Sequence, residues 1–265
     1  MEKKYKMLKE DTIEVKGHTL YRIEALRDFG IVKKGNLGGF VEKEKNLSQF
    51  GGCWVFDNAK VFDNARVSND AKVFDNALVY GDAKVFGNAR IYGNAEIFGN
   101  ARIYGNAKVS CEAKVYCNAL VYGDAEIREC AIVFGGTEVY DNAVIRGNAM
   151  VFGNARVFGN AIVSDDAKVF GKSEVFNSSV LTVNAYITNT NDYINIGPIG
   201  SRNDYITFYL TEDKNIMVKC GCFNDTIEEF IKAVGKTHKD NKKYRSQYIG
   251  AITYAKCVLY NESIL

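Results

Sequence analysis

The sequence of 265 residues lacks the features that mark several large classes of protein. No apolar run approaches the roughly 18 residues that a membrane-spanning helix needs, and the first six residues lack the apolar core of a signal peptide. Positive and negative charges nearly cancel, with 34 Lys and Arg against 32 Asp and Glu. That balance argues against a dedicated DNA-binding protein and equally against an acidic DNA mimic. We therefore expect neither a membrane span nor a nucleic-acid partner.

The cysteines and histidines exclude further kinds of site. Seven cysteines are scattered without the spacing of a disulfide framework, so free thiols in a reducing cytoplasm are the better interpretation. Cys220 and Cys222 form one close pair, but no second pair follows at the spacing of zinc ligands. The sequence therefore predicts neither a metal site nor a bound cofactor.

A six-residue repeat fills the middle of the chain, and residues 85–90, Val-Phe-Gly-Asn-Ala-Arg, show it plainly. Val, Ile or Leu recurs at every sixth position from Val55 to Ile187, at 23 positions without a slip. The residue after the aliphatic one is Phe or Tyr at 16 of the 21 positions between Phe56 and Phe176. Four residues after each aliphatic, Ala recurs with the same period. The exceptions to Ala are Thr137, Ser173 and Ser179.

A period of six indicates a β-solenoid rather than a helix or an isolated strand. An α-helix would need apolar residues at a spacing of about 3.6, and a strand would need strict alternation. A short strand followed by a tight corner explains the pattern, because Gly and Asn tolerate the positive φ that such a corner requires. Three hexads would close one coil, and identical residues would then stack about 4.8 Å apart. Asn residues could hydrogen-bond along the corners.

The repeat resembles that of the hexapeptide-repeat, left-handed β-helix superfamily over residues 55–188. It departs at one position, because Phe or Tyr replaces the usual small residue after the aliphatic one. The resemblance implies a mainly β fold, with a left-handed parallel β-helix at residues 55–188. The flanking sequence predicts an N-terminal β cap at residues 1–54 and a small C-terminal α+β domain at residues 189–265.

The flanks carry local signals of their own. Lys16-Gly17 is a plausible hairpin turn, and Trp54 is predicted to enter the regular series of strands. Thr226 and Glu229 form a capping box before an apolar helical face. Strands are predicted at residues 193–196, 205–210 and 215–219, and a second helix near residues 242–260.

Both flanks resemble those of uncharacterised hexapeptide-repeat proteins found in bacteria and their prophages. The segments that carry this resemblance are residues 17–23, 37–40, 197–204 and 220–223. It implies a bacterial or phage-encoded architecture and no particular activity.

Acyl transfer is the activity best known for the superfamily, and the sequence argues against it. The resemblance would imply a His general base, often on a loop extruded from the coils, in a cleft between the subunits of a trimer. Here no His lies between His18 and His238, and no loop interrupts the repeats. His18 lies beside a turn, so a structural role is favoured. Acyltransferase activity remains an alternative hypothesis.

The outward aromatic residues suggest an interface. One interpretation is that the rings stack on each other and stiffen the solenoid. The other, which we favour on one face, is that the apolar face is covered by a second copy, giving a homodimer or homotrimer. The residues predicted at this interface are Leu78, Tyr80, Phe98, Tyr116, Ile132, Phe134, Met150 and Phe152.

A glycine-rich loop in the C-terminal segment is the best candidate for a small-ligand site. Its backbone amides and Arg202 could bind an anion, with His238 as a second contact if the fold brings it near. It is neither a P-loop nor a dinucleotide fingerprint, since it joins two strands, and a plain turn is the alternative. The candidate ligand residues are Gly197, Gly200, Ser201, Arg202, Asp204 and His238.

These observations favour a non-catalytic binding or assembly protein, homo-oligomeric and of possible phage origin. A second hypothesis is a ligand-sequestering protein, of the kind that counters a defence system, that holds an anionic, nucleotide-like molecule. The third is the acyltransferase.

Overall fold

The computed structural model describes residues 2–260, and most of them form a parallel β-solenoid. The solenoid contains 23 two-residue strands, three to a turn, which makes about eight turns. A small antiparallel sheet and two helices follow it. The mainly β fold predicted from the repeat is therefore confirmed. The predicted C-terminal domain runs to residue 265, and residues 261–265 lie outside the described residues.

Three sheets form the faces of the solenoid, which we call the long face, the eight-strand face and the seven-strand face. The long face contains β1 (Tyr5–Val15), β2 (His18–Ala25), β3 (Leu37–Val41), β5 (Lys60–Val61), β8 (Leu78–Val79), β11 (Glu96–Ile97), β14 (Lys114–Val115), β17 (Ile132–Val133), β20 (Met150–Val151), β23 (Lys168–Val169) and β26 (Tyr186–Ile187). The eight-strand face contains β4 (Trp54–Val55), β7 (Lys72–Val73), β10 (Arg90–Ile91), β13 (Lys108–Val109), β16 (Glu126–Ile127), β19 (Val144–Ile145), β22 (Ile162–Val163) and β25 (Val180–Leu181). The seven-strand face contains β6 (Arg66–Val67), β9 (Lys84–Val85), β12 (Arg102–Ile103), β15 (Leu120–Val121), β18 (Glu138–Val139), β21 (Arg156–Val157) and β24 (Glu174–Val175).

The backbone of each turn hydrogen-bonds to the next turn at a fixed offset. In the strands, the amide of Lys84 donates to the carbonyl of Ala101 at 2.9 Å. At the corners, the amide of Asn88 donates to the carbonyl of Gly105 at 2.7 Å. Strand and corner amides therefore extend the same ladder, and equivalent side chains stack along the solenoid axis.

The interior is filled by the aliphatic and Ala columns of the repeat. These residues are at most 1% exposed from Val55 to Ile187. Thr137 replaces Ala without an unpaired hydroxyl, because its Oγ1 donates to the carbonyl of Phe134 at 2.6 Å. Ser173 does the same toward Phe170 at 2.8 Å. The exceptions to Ala are thus compatible with a buried position.

The corners confirm the conformation expected from the repeat. Gly147 has φ 69°, and a Cβ atom there would lie 2.6 Å from the amide nitrogen of Asp165. Asp63 has a similar φ of 57°, so glycine is not required at every corner. Asn106 accepts from the amide group of Asn88 at 3.1 Å and donates to Asp124 at 3.0 Å. The expected Asn ladders are therefore present.

The N-terminal residues close the first end of the solenoid. β1 and β2 form a hairpin whose turn, Lys16-Gly17, has φ values of 50° and 83°, as predicted. β3 pairs antiparallel with β2 and parallel with β5, so it links the hairpin to the first turn. Trp54 begins the regular strands as predicted, and its buried ring meets Tyr5 and Phe29 edge-on.

The C-terminal residues form a sheet with two different sides. Its strands are β27 (Tyr193–Ile199), β28 (Asp204–Leu210), β29 (Ile216–Cys220) and β30 (Phe223–Thr226), followed by α1 (Ile227–Thr237) and α2 (Lys242–Tyr260). Tyr193 and Tyr209 pack into the solenoid core, whereas Phe208 and Val218 pack with the helices. The sheet thus closes the last turn with one side and supports the helices with the other.

Local signals predicted most of this segment. Three strands and both helices agree with the sequence, whereas β30 was not predicted. Thr226 caps α1, since its hydroxyl accepts the Glu229 amide at 3.3 Å. The Glu229 carboxylate instead pairs with Lys232, so only half of the predicted capping box forms. In the part of the chain that the structure describes, no helix is long and apolar enough to cross a membrane.

The buried Ala column gives a test of the packing. Replacement of the fully buried Ala143 by Leu should lower the free energy of unfolding by about 1–3 kcal/mol, because the added carbons have no space. Ala143→Ser is the matched control, since the equivalent Ser173 and Ser179 are buried and bonded to a carbonyl. Urea unfolding should show a lower midpoint for the Leu variant than for the Ser variant. Equal midpoints would contradict the packing described here.

Candidate functional site

The outward aromatic rings form continuous ladders on two faces. On the long face, consecutive rings from Phe62 to Phe170 are nearly parallel, with centroids 4.6–5.0 Å apart. On the seven-strand face, rings from Phe86 to Phe176 stack with centroids 4.9–5.4 Å apart. Each inner ring covers the faces of its neighbours, so self-stacking accounts for much of the ladder.

The structure brings the predicted interface residues together on the long face. Leu78, Ile132 and Met150 occupy one column of outward strand positions, and the aromatic ladder runs beside it. Glu96 and Lys114, ion-paired at 3.1 Å, interrupt the aliphatic column. All eight predicted residues are half-buried in the single chain. The association itself stays a prediction.

The predicted ligand loop lies beside a cavity of about 280 Å³ in the C-terminal segment. The loop joins β27 to β28, as expected, and three of the six candidate ligand residues line this cavity: Ser201 and Arg202 from the loop, and His238 from the end of α1. The other walls of the cavity come from β29, β30, the turn between them and the two helices. They are Cys220, Cys222, Phe223, Phe230, Ala233, Val234, Thr237 and Tyr248.

Arg202 is held at the mouth of the cavity. Its guanidinium lies against Gly221, where any Cβ atom would collide with it. Its Nη2 is 3.9 Å from the Sγ of Cys222. Among the described residues, no carboxylate lies within 4.0 Å of this guanidinium, so its charge is not neutralised by an ion pair. An exposed cation at the edge of an apolar cavity is suited to an anion.

The Tyr248 hydroxyl and the Cys220 thiol of the cavity are in their neutral forms at neutral pH. Burial raises the pKa of Tyr248 and of Cys220, although the nearby Arg202 charge opposes both shifts. The ring of His238 stacks on that of Tyr248, with centroids 5.1 Å apart. His238 follows the last turn of α1, and its amide donates to the Val234 carbonyl. The end of α1 therefore positions this imidazole.

The other three candidate residues do not line the cavity. Gly200 has φ 73° and lies against the hydroxyl of Tyr248, where a side chain would collide. A Cβ atom at Gly197 would lie 2.8 Å from the Cα of Tyr205. The Asp204 carboxylate accepts the amide of Tyr205 at 2.7 Å. Close packing thus explains both glycines, and the role of all three in ligand binding stays a prediction.

A second cluster, which sequence reasoning missed, joins the N-terminal hairpin to the first turn. The Nε2 of His18 is 3.1 Å from an oxygen of Asp63, and its Nδ1 is 3.5 Å from an oxygen of Glu42. One ligand atom from each of the three residues lies within 4.8 Å of the others, so they could hold a metal ion. No local signal marks this cluster, because its members come from elements far apart in sequence.

The Glu42 carboxylate is held in its charged form. Burial alone would raise the pKa of Glu42, but hydrogen bonds from Lys43 and from the amide of Asp63 lower it overall. The imidazole of His18 also packs on Phe62, with centroids 5.3 Å apart. Because both ring nitrogens face carboxylates, this arrangement fastens the hairpin to the first turn of the solenoid.

A larger cleft of about 470 Å³ lies between the last turns of the solenoid and the C-terminal sheet. Asp166, Lys168, Glu212 and Asp213 line it, so charges of both signs are present. None of the candidate ligand residues contributes to it.

Comparisons with known proteins support the repeat and little beyond it. A family model of the YdcK β-solenoid repeat matches residues 149–165. The chain is also similar to the uncharacterised acetyltransferase YdcK of Escherichia coli (strain K12), with 40% identity over 52 residues. That match covers 19% of this chain and 16% of the relative, so this chain spans about one sixth of the curated relative's length. Both matches fit the hexapeptide-repeat resemblance.

The long face provides a test of association. Ile132→Glu combined with Met150→Glu should dissociate an oligomer built on this face, because it places charge in an apolar contact. Glu96 occupies the same column, so the fold accommodates Glu there. Light scattering at micromolar concentration should give an oligomer for the parent chain and 29.5 kDa for the variant.

The control makes the same change on another face. Val144→Glu with Ile162→Glu alters an adjacent pair on the eight-strand face and should leave the oligomer intact. A monomeric parent chain would refute the interface, as would dissociation by both pairs of changes.

Proposed function

We propose that this hexapeptide-repeat β-solenoid protein is a non-catalytic binding protein that holds a small anionic molecule in its C-terminal cavity. One observation carries the proposal: the adjacent residues Ser201 and Arg202 converge with His238, from the end of α1, on one cavity with an apolar floor. A segment that served only to close the solenoid would need apolar contacts with the last turn, and Tyr193 and Tyr209 supply those on the opposite side of the sheet.

The walls of the cavity indicate the class of ligand. Arg202 and Ser201 offer donors for a phosphate or carboxylate. Phe223, Phe230 and Tyr248 offer flat apolar surface for a planar group. The volume, about 280 Å³, lies just below the roughly 300–1,000 Å³ typical of ligand pockets. A nucleotide-like anion with its planar group partly inserted satisfies both requirements.

Assembly and location complete the proposal. The half-buried apolar column and ladder of the long face support a homodimer or homotrimer. The cysteines are free thiols, which supports a reducing compartment such as the cytoplasm. The resemblance of both flanks to prophage proteins supports a phage-related origin and a ligand-sequestering role.

Acyl transfer is the second candidate, favoured by the similarity to an acetyltransferase. Its chemistry needs a base that can take a proton from the attacking hydroxyl or amine. His18 is the histidine beside the solenoid, and both its nitrogens face carboxylates. The local geometry therefore favours binding over acyl transfer.

The proposed cavity is tested by Arg202→Ala. AMP, ATP and inorganic phosphate, each tested by titration calorimetry, are suitable probes of a nucleotide-like site. We expect AMP or ATP to bind the parent chain, and Arg202→Ala to weaken that binding at least about tenfold, since a charge-assisted contact is lost. The melting temperature should hardly change, because the guanidinium is exposed and unpaired.

Arg245→Ala is the matched control for this experiment. It removes the same charge from the same segment, and Arg245 is an exposed residue of α2 that does not line the cavity. It should leave affinity unchanged. Equal weakening by both changes, or a loss of stability without an effect on binding, would argue against the cavity as a site.

A thiol-release assay separates binding from acyl transfer. With acetyl-coenzyme A and a panel of amines and alcohols, we expect no thiol release above background, since both ring nitrogens of His18 face carboxylates. Release that disappeared in a His18→Ala variant would replace the binding proposal with the acyltransferase one.

A further inference from the structure

Positive and negative charges nearly cancel in the whole chain, but the fold gathers several positive charges on one face of the solenoid. On the eight-strand face, Lys72, Arg90 and Lys108 occupy adjacent positions of one column. Arg128 and Arg146 follow on the next two turns, at the corner position where the other two faces carry aromatic rings. Five cations thus line one face over five turns. Like charges on neighbouring strands repel, so this arrangement lowers stability unless an anion covers it.

An acidic side chain neutralises only one of these five cations. Lys108 pairs with Glu126 at 2.7 Å. Among the described residues, no carboxylate lies within ion-pair distance of Lys72, Arg90, Arg128 or Arg146. In addition, the Nε of Arg128 is buried without a hydrogen-bond partner in the described part of the chain. Four cations on this face are therefore available to a ligand.

Most of the nearby corner carboxylates accept hydrogen bonds from groups in neighbouring corners. Asp75 and Glu129 accept the amides of Gly93 and Gly147, each at 2.8 Å. At the opposite corner, Asp70 accepts the amide of Gly52, and Asp124 accepts the side-chain amide of Asn106. Two corner acids remain: Asp141 accepts the amide of Gly159 at 3.1 Å, and Glu112 is exposed. The corners therefore do not supply the missing partners.

The same face carries an aromatic ring outside the stacked ladders. Phe56 and Phe74 stack with centroids 4.5 Å apart, but the described ring pairs do not include Tyr92. The next turn has Ser110 at the equivalent position, so the ladder ends there. Tyr92 is 36% exposed. It forms a cavity of about 450 Å³ with Phe74, Asp75, Arg90 and Lys108.

We propose that the eight-strand face binds single-stranded nucleic acid. The phosphates lie along the column of Lys72 and Arg90 and on toward Arg128 and Arg146, and a base stacks on Tyr92. Five turns at about 4.8 Å span about 19 Å, a length that suits a few nucleotides and agrees with the shortest binding sites of roughly four. The sequence argued against a nucleic-acid partner because the net charge of the whole chain is only +2. The local charge of the eight-strand face is more positive than that average.

The seven-strand face offers a comparison within the same molecule. Arg66, Lys84 and Arg102 also form a basic column there. Its rings are stacked from Phe86 onward, and the first ring, Phe86, is half-buried, whereas Tyr92 on the eight-strand face is exposed. A ligand that needs both phosphate contacts and a stacking surface should therefore prefer the eight-strand face.

The test is fluorescence anisotropy with the full chain, at low salt, using a labelled oligothymidylate of about ten nucleotides. Lys72→Ala with Arg90→Ala should weaken binding at least about tenfold and reduce its salt dependence. Lys84→Ala with Arg102→Ala removes the same charge from the seven-strand face and should change affinity less than about twofold. Neither pair should lower the melting temperature, because each change relieves repulsion between neighbours.

Stacking is tested separately. Tyr92→Ser introduces the residue that the next turn carries at the same position, so the fold should be preserved. It should weaken oligothymidylate binding about fivefold or more, and an abasic oligonucleotide of equal length should bind weakly and be insensitive to the change. Arg202→Ala should have no effect, which keeps this site distinct from the C-terminal cavity.

Several results would overturn the proposal. One is no binding at low salt. A second is an equal loss of affinity in the two double variants, Lys72→Ala with Arg90→Ala and Lys84→Ala with Arg102→Ala. A third is equal affinity for the abasic oligonucleotide and for oligothymidylate. Displacement by heparin together with insensitivity to Tyr92→Ser would identify a general polyanion surface instead, and binding only to anionic lipid vesicles would identify a membrane surface.

Discussion

The register between turns is the constraint on which the rest of the molecule depends. Neighbouring strands are offset by 18 residues without exception between β4 and β26, and the side-chain hydrogen bonds between corner Asn residues keep the same offset. A single inserted residue would move the following aliphatic positions out of the core. Because the offset is constant, each position of the repeat becomes a straight column of side chains. The aliphatic core, the aromatic ladders and the basic columns are all consequences of that one condition.

Much of the fold could be predicted because its information is periodic and local. The spacing of the aliphatic residues determines the strands, the Lys16-Gly17 pair determines a turn, and Thr226 marks a helix start. The sites could be predicted only in part. Arg202 stands out by its glycine-rich surroundings, but its proximity to His238 depends on how α1 packs against the sheet. The His18 cluster depends on where the hairpin lies on the first turn, which no local pattern specifies.

The two glycines of the ligand loop show why composition alone is ambiguous. Gly197 and Gly200 lie close to Arg202 in the sequence, and glycines near an Arg are typical of an anion site. In the structure, both permit close contact with aromatic side chains, Tyr205 and Tyr248. The contact between Gly200 and Tyr248 nevertheless helps to form the cavity. It brings the loop against α2 and so places Ser201 and Arg202 at the edge of the cavity. Gly200 therefore affects both the packing of the loop on α2 and the geometry of the cavity.

The uninterrupted repeat has a consequence for how such a chain can change in length. Because every turn is built from the same 18-residue segment, removal or duplication of one such segment would leave each column in line. It would move the N-terminal hairpin and the C-terminal sheet by one strand spacing, about 4.8 Å. The length of the solenoid can therefore change only in steps of one strand spacing. Its number of turns sets the distance between the His18 cluster at one end and the cavity around Arg202 at the other.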